Sequence, residues 1–170
     1  MGEPPSHKPV ELTALRLLER REYSVAELKR KLLAAGHLPA AVDVVIGQLA
    51  ARRLISDARY AGSRVRHRSN RGQGPVRIRA ELRREGIAEE LIQAELDAVG
   101  CDWERLAVSV RVRKFGSRTP PSSAERAKQA RFLQYRGFTA NQIRAALGSY
   151  ADADGSGMDA DFRSDPDPDY

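Results

Sequence analysis

Gly74-Pro75-Val76-Arg77-Ile78-Arg79-Ala80-Glu81-Leu82-Arg83-Arg84-Glu85-Gly86-Ile87 decides how the rest of the chain is read. A permissive residue at the cap and proline at the first helical position, where a missing N–H costs nothing, predict a helix start at Gly74-Pro75. Ile78 and Leu82 lie four apart on one face, and Gly86 can take the left-handed conformation that ends a helix. Arg77, Arg79, Arg83 and Arg84 fall on the remaining faces. The stretch predicts a short helix with an apolar seam and a basic exterior.

The same pattern recurs on either side. Gly36, Gly86 and Gly137 stand 50 and then 51 residues apart. Four residues before them are Leu32, Leu82 and Leu133, and six after are Val42, Ile92 and Ile143. Ten after stand Ile46, Leu96 and Leu147, and thirteen after Leu49, Val99 and Tyr150. Five gapless columns indicate stacked supersecondary units, because periods of this length mark arrays in which one unit cannot bury its own core. The expected fold is all-α: three tandem three-helix repeats in an elongated, curved array.

Helix signals fill in the units. From Val10, the residues Leu12, Leu15 and Leu18 predict a buried face on a helix ending near Arg21–Glu22. Ser24 with Glu27 predicts a capping box, followed by Leu28 and Leu32, and a third helix runs from about Ala40 to Arg52. Ser56 caps a helix with Tyr60 and Val65 inward, and a loop is expected from Arg68 to Gln73. Leu91, Ile92, Leu96 and Val99 form the next face. Asp102 caps a helix holding Leu106, Val110 and Phe115. After Pro120-Pro121, Ser122 with Glu125 and Thr139 with Gln142 predict two further boxes. The expected divisions are a flexible arm at 1–9, repeats at 10–55, 56–101 and 102–150, and a disordered acidic tail at 151–170.

Low aromatic content and high charge favour small helices with cores of Leu, Val, Ile and Ala. No apolar run is long enough to span a bilayer, and Glu3, Pro4, Pro5 and His7 lack signal-peptide order. With one cysteine, Cys101, neither an internal disulfide nor a zinc-finger site is expected. A cytoplasmic, cofactor-free, monomeric protein follows as the expectation. The net charge of +6 is unevenly placed: seven Asp and one Arg give residues 151–170 a charge of −6, leaving +12 on residues 1–150. A body that basic is expected to meet a polyanion or an acidic protein surface.

With the units placed, Leu54-Ile55-Ser56-Asp57-Ala58-Arg59-Tyr60-Ala61 followed by Gly74 to Ile87 resembles the RecX family, the regulatory proteins of RecA recombinase. Ser24, Glu27, Leu28, Lys31 and Leu32 in the first unit agree, as do Leu133, Arg136, Gly137, Phe138 and Ile143 in the third. The resemblance covers roughly Leu12 to Tyr150. It implies a three-repeat protein without catalytic chemistry that binds the RecA–single-stranded DNA filament along its groove and lowers assembly, ATP hydrolysis, strand exchange and coprotease function. Basic side chains would then meet RecA acidic surfaces, DNA phosphates, or both.

The candidate contact residues are Arg64, Arg68, Arg71, Arg77, Arg79, Arg83 and Arg84 in the second unit, and Arg111, Arg113 and Lys114 in the third. Between Arg64 and Arg84 there are eight Arg and one acidic residue, Glu81. The plain alternative is a solvated helix exterior partly neutralised by Glu81 between Arg77 and Arg84. Few aromatics are interleaved, which argues against a base-stacking platform. Three-helix units with a basic helix also fit a helix-turn-helix-like DNA-binding module, the alternative reading. Asp152, Asp154, Ser156 and Gly157 copy the opening of a calcium loop, but its twelfth position is Arg163 rather than Glu, so no metal is expected. No Ser–His–Asp set and no glycine-rich phosphate loop points to an enzyme.

Overall fold

Residues 7–148 are described by a computed structural model, and every regular element among them is helical. The first unit holds α1 (Lys8–Leu18), α2 (Val25–Ala34) and α3 (Pro39–Ala51). The second holds α4 (Asp57–Asn70), α5 (Pro75–Arg84) and α6 (Glu89–Ala98). The third holds α7 (Trp103–Phe115), α8 (Ser123–Tyr135) and α9 (Ala140–Leu147). Every extensive helix–helix contact joins helices of one unit. The core accordingly falls into three separate clusters, centred on Leu28, Leu32, Val42 and Leu49, on Tyr60, Val65, Ile78, Leu82 and Ile92, and on Ala107, Val110, Leu133 and Phe138.

The repeat columns are the core. Leu32, Leu82 and Leu133 have no exposed surface, and Ile46, Leu96 and Leu147 are all buried. Each such side chain contributes about 1.5–3 kcal/mol by leaving water. The columns end where the described residues end, and Tyr150 and the acidic tail lie outside them.

Side-chain caps start five helices. Ser24 Oγ accepts from Glu27 N–H at 3.1 Å, Ser56 Oγ from Arg59 N–H at 3.3 Å and Asp102 Oδ1 from Arg105 N–H at 3.0 Å. Ser122 and Thr139 do the same at 3.2 and 3.3 Å. The reciprocal half of a capping box forms only at Thr139, whose N–H donates to Gln142 Oε1. Glu27 and Glu125 turn instead to Arg21 and Lys128, because a carboxylate gains more from a cation than from a neutral amide.

Two further expectations are corrected. Leu12 is 56% exposed; α1 begins at Lys8 and buries Val10 and Ala14, with Leu15, Leu17 and Leu18 partly covered. α1 carries two apolar stripes, and the one containing the small Ala14 is the one packed against α2 and α3. The segment from Arg68 to Asn70 is the last turn of α4, not loop, so Arg68 is held on a helix.

The units are joined through their middle helices, and the joint is built twice. At the N-terminus of α2, the Ser24 hydroxyl donates to the Glu85 carbonyl at 2.7 Å, and Val25 N–H donates to Asp57 Oδ1 at 2.8 Å. A Cβ on Gly86 would lie 2.5 Å from the Ala26 methyl. At the N-terminus of α5, Gly74 N–H donates to the Arg136 carbonyl at 2.8 Å and Val76 N–H to the Gly137 carbonyl at 3.0 Å. The backbones approach so closely that neither Gly74 nor Gly137 has room for a Cβ. The C-terminus of α5 thus abuts α2, and that of α8 abuts α5. This satisfies helix-end groups that would otherwise be orphaned and sets negative dipole ends against positive ones. Glycine is required at 86 and 137 both for φ of +82° and +86° and for space.

Candidate partner-binding surface

On α4 and α5 the structure sorts the predicted arginines by whether a carboxylate reaches them. Arg68 pairs with Glu81 across the two helices, with Nε 3.0 Å from Oε1. Glu81 therefore serves the neighbouring helix rather than Arg77 and Arg84 on its own. Arg64 Nε donates to the Tyr60 hydroxyl at 3.1 Å, and its other end is 3.7 Å from Glu85. Burial opposes the Arg64 charge, but the Tyr60 and Glu85 contacts outweigh it and its pKa is raised. Arg79 and Arg83 both bind Glu89 at the start of α6. These bonds, led by the one from Arg83, hold the Glu89 carboxyl below its ordinary range.

Arg77 faces the joint with the third unit, over the Tyr135 ring at 5.2 Å, and its Nη1 lies 3.4 Å from the Tyr135 carbonyl. The Arg71 carbonyl accepts from Arg136 at 3.3 Å, while the Arg71 side chain is exposed. Arg84 is exposed and makes no ion pair among the described residues. Arg66, on α4, has the same character and was not among the predicted residues. Its place within the same arginine run was the available signal.

The third unit divides likewise. Arg113 and Lys114 are exposed in the last turn of α7, where cations also suit the negative helix end. Arg111 is corrected: it is 5% exposed, with Nη1 donating to the Arg118 carbonyl at 3.0 Å and to Gln129 Oε1 at 3.4 Å. Its Nε is buried without a partner. Arg111 ties the α7–α8 loop down from inside and is withdrawn from the contact surface.

Between the first and second units lies an open cleft of about 290 Å³ lined by Arg21, Glu22, Tyr60, Ser63, Arg64 and His67. Arg21 stacks over Tyr23 at 3.8 Å and binds Glu27 at 2.5 Å. The joint brings Arg21 and Arg64 to one cleft. Among the described residues no group of His, Cys, Asp and Glu is placed to hold a metal ion, and no helix is long and apolar enough to cross a membrane.

Comparison with known proteins matches this arrangement unit by unit. Profiles of the first, second and third three-helix domains of RecX match residues 12–49, 56–96 and 102–147. The chain is 48% identical over 141 residues to the regulatory protein RecX of Halorhodospira halophila, covering 83% of this chain and 87% of that one. It is 40% identical over 150 residues to regulatory protein RecX of Pseudomonas fluorescens, covering 88% and 93%. A crystal structure of RecX from Lactobacillus salivarius superposes with a TM-score of 0.70 at 22% identity, covering 81% of this chain and 91% of that one. That structure supports the fold, and the sequence relatives carry the kinship: this chain belongs to the RecX family of regulatory proteins.

Proposed function

We propose that the chain is a non-enzymatic cytosolic regulator that binds RecA recombinase and RecA–single-stranded DNA filaments. By binding them it lowers recombinase, ATPase and coprotease activity, and so modulates recombination, DNA repair and the SOS response. Family membership supports the role. The observation that carries the binding mode is that several cations stay exposed with no ion pair among the described residues, Arg66, Arg71 and Arg84 in the second unit and Arg113 and Lys114 in the third among them. Spread over two units, they suit many weak contacts along an extended acidic or phosphate-bearing surface, and contacts on one rigid scaffold act together.

The test is the single-strand-DNA-dependent ATPase of preformed RecA filaments with this protein added well below one copy per RecA. A fall in rate is expected. No fall, even at excess protein and low salt, sinks the proposal. Sequence-selective duplex binding in that case would establish the helix-turn-helix-like reading instead.

A further inference from the structure

The joint described above is built twice inside the chain, and a three-unit array leaves one unused half at each end. At the first unit the unused half is the C-terminus of α2. A Cβ on Gly36, at φ +85°, would meet nothing within 4 Å, whereas one on Gly86 would meet Ala26 and one on Gly137 would meet Arg77, at φ of +82° and +86°. The Ala35 carbonyl occupies the place of the Glu85 and Arg136 carbonyls, and no hydrogen bond from the described residues reaches it. Ala34 and Ala35 are exposed, and Leu38 beside them is 66% exposed. Thr13, next to the exposed Leu12, binds His37 at 3.1 Å, which brings α1 to the same end of the unit. The end face of the first unit is therefore apolar and, among the described residues, lacks the contact that Gly86 makes with Ala26 and Gly137 makes with Arg77.

At the other end the unused half is the N-terminus of α8. Ser122-Ser123-Ala124-Glu125 repeats the pattern of Ser24-Val25-Ala26-Glu27, the segment that makes the first joint. Ser122 accepts from Glu125 N–H as Ser24 does from Glu27, but its hydroxyl has no acceptor among the described residues, where that of Ser24 has the Glu85 carbonyl. Ala124, the counterpart of the Ala26 methyl packed under Gly86, is exposed.

Charge favours the pairing of these two ends. The segment that holds α1 and α2, residues 8–38, carries seven Lys and Arg against four Glu. Arg126 in the first turn of α8 donates to the carbonyls of Leu147 and Gly148 at 3.1 and 2.8 Å, so the described chain ends beside the free α8 terminus. The sequence that continues from that point carries the charge of −6. One end of the array is thus basic and apolar, and the other is where the acidic sequence begins.

We infer that a second copy of this chain docks head to tail, with the N-terminus of α8 in one copy capping the C-terminus of α2 in the next. The Ser122 hydroxyl then donates to the Ala35 carbonyl, and Ala124 seats against Gly36. The contact is heterologous, with different surfaces on the two copies, so it propagates into open chains rather than stopping at a dimer. This replaces the expectation of a solitary monomer and does not depend on what the array regulates.

The experiment is sedimentation of the full chain from micromolar concentrations to about 1 mM, a range that resolves weak association, at low and high salt. Weight-average mass is expected to rise past twice the monomer and to fall back with salt. Leu38→Glu blocks the first-unit end and Ala124→Trp blocks the α8 end; both residues are exposed, so helical content and melting temperature serve as the folding check. Each variant alone is expected to remain monomeric. An equimolar mixture is expected to reach a 1:1 dimer and stop, because one good end of each kind remains. A wild-type chain that is monomeric throughout, a mass that stops at two, or variants that fail to complement each other would each overturn the inference.

Discussion

Arg111 and Arg113 are two residues apart on α7 and have opposite surroundings, one buried against a carbonyl and an amide and the other in solvent. A buried guanidinium without a carboxylate holds its loop at the cost of its own desolvation. Arg111→Ala is expected to cost roughly 2–3 kcal/mol in denaturant titration, leaving the Arg118 carbonyl and Gln129 unsatisfied. Arg111→Met, which fills the space without burying a charge, should cost clearly less than Arg111→Ala. Arg113→Glu and Lys114→Glu should each cost no more than about 1 kcal/mol, through the helix end, while weakening filament binding and flattening its salt dependence. Loss of fold in that pair, or no loss of binding, would count against the assignment of roles. Arg53 is the one non-glycine residue with positive φ among those described, at +57°, just after α3. Arg53→Gly should therefore hold or raise the melting temperature, since the left-handed strain of about 1 kcal/mol is relieved.

Between α5 and α6, Glu89 clamps Arg79 and Arg83, with its carboxyl held low first by the Arg83 bond. A carboxyl depressed in the folded state stabilises fully above its unfolded value of about 4.3 and loses that contribution as pH falls through the lower folded value. Amide protection factors at the start of α6, measured against the intrinsic rate at each pH, should therefore fall on acidification, and Glu89→Gln should remove that response. The glycines distinguish element from joint in the same way. Gly47 lies inside α3 with open space around it, so Gly47→Ala should stabilise by about 0.5–1 kcal/mol. Gly74→Ala forces a methyl into the Gly137 backbone and should open the joint between the second and third units, read as lost protection at Val76. Equal effects of the two substitutions would contradict the joint described here.

For the whole molecule, separate cores linked by narrow joints make stability a sum of units and interfaces rather than one cooperative block. Leu32→Ala, Leu82→Ala and Leu133→Ala are each expected to cost about 2–5 kcal/mol locally. Hydrogen exchange should show the loss concentrated in the substituted unit, with the adjoining joint second. Uniform loss across residues 8–147 would mean the units are more tightly coupled than their contacts indicate.

The sequence by itself determined the three units, the buried leucine columns and the glycines that close the middle helices. Each of these follows from local periodicity, caps and φ, which neighbours along the chain dictate. It also carried enough of the family's pattern, in Leu54 to Ala61 and Gly74 to Ile87, to point to RecX before any coordinates. Tertiary structure alone decided which of two apolar stripes α1 buries, and so left Leu12 in solvent. It alone drew Arg68 to Glu81, turned Arg77 to Tyr135 and buried Arg111, while Arg66, Arg71, Arg84, Arg113 and Lys114 stayed exposed. The physical reason is that an arginine's partner is chosen by reach across helices, and periodicity along one helix carries no record of what the next helix presents.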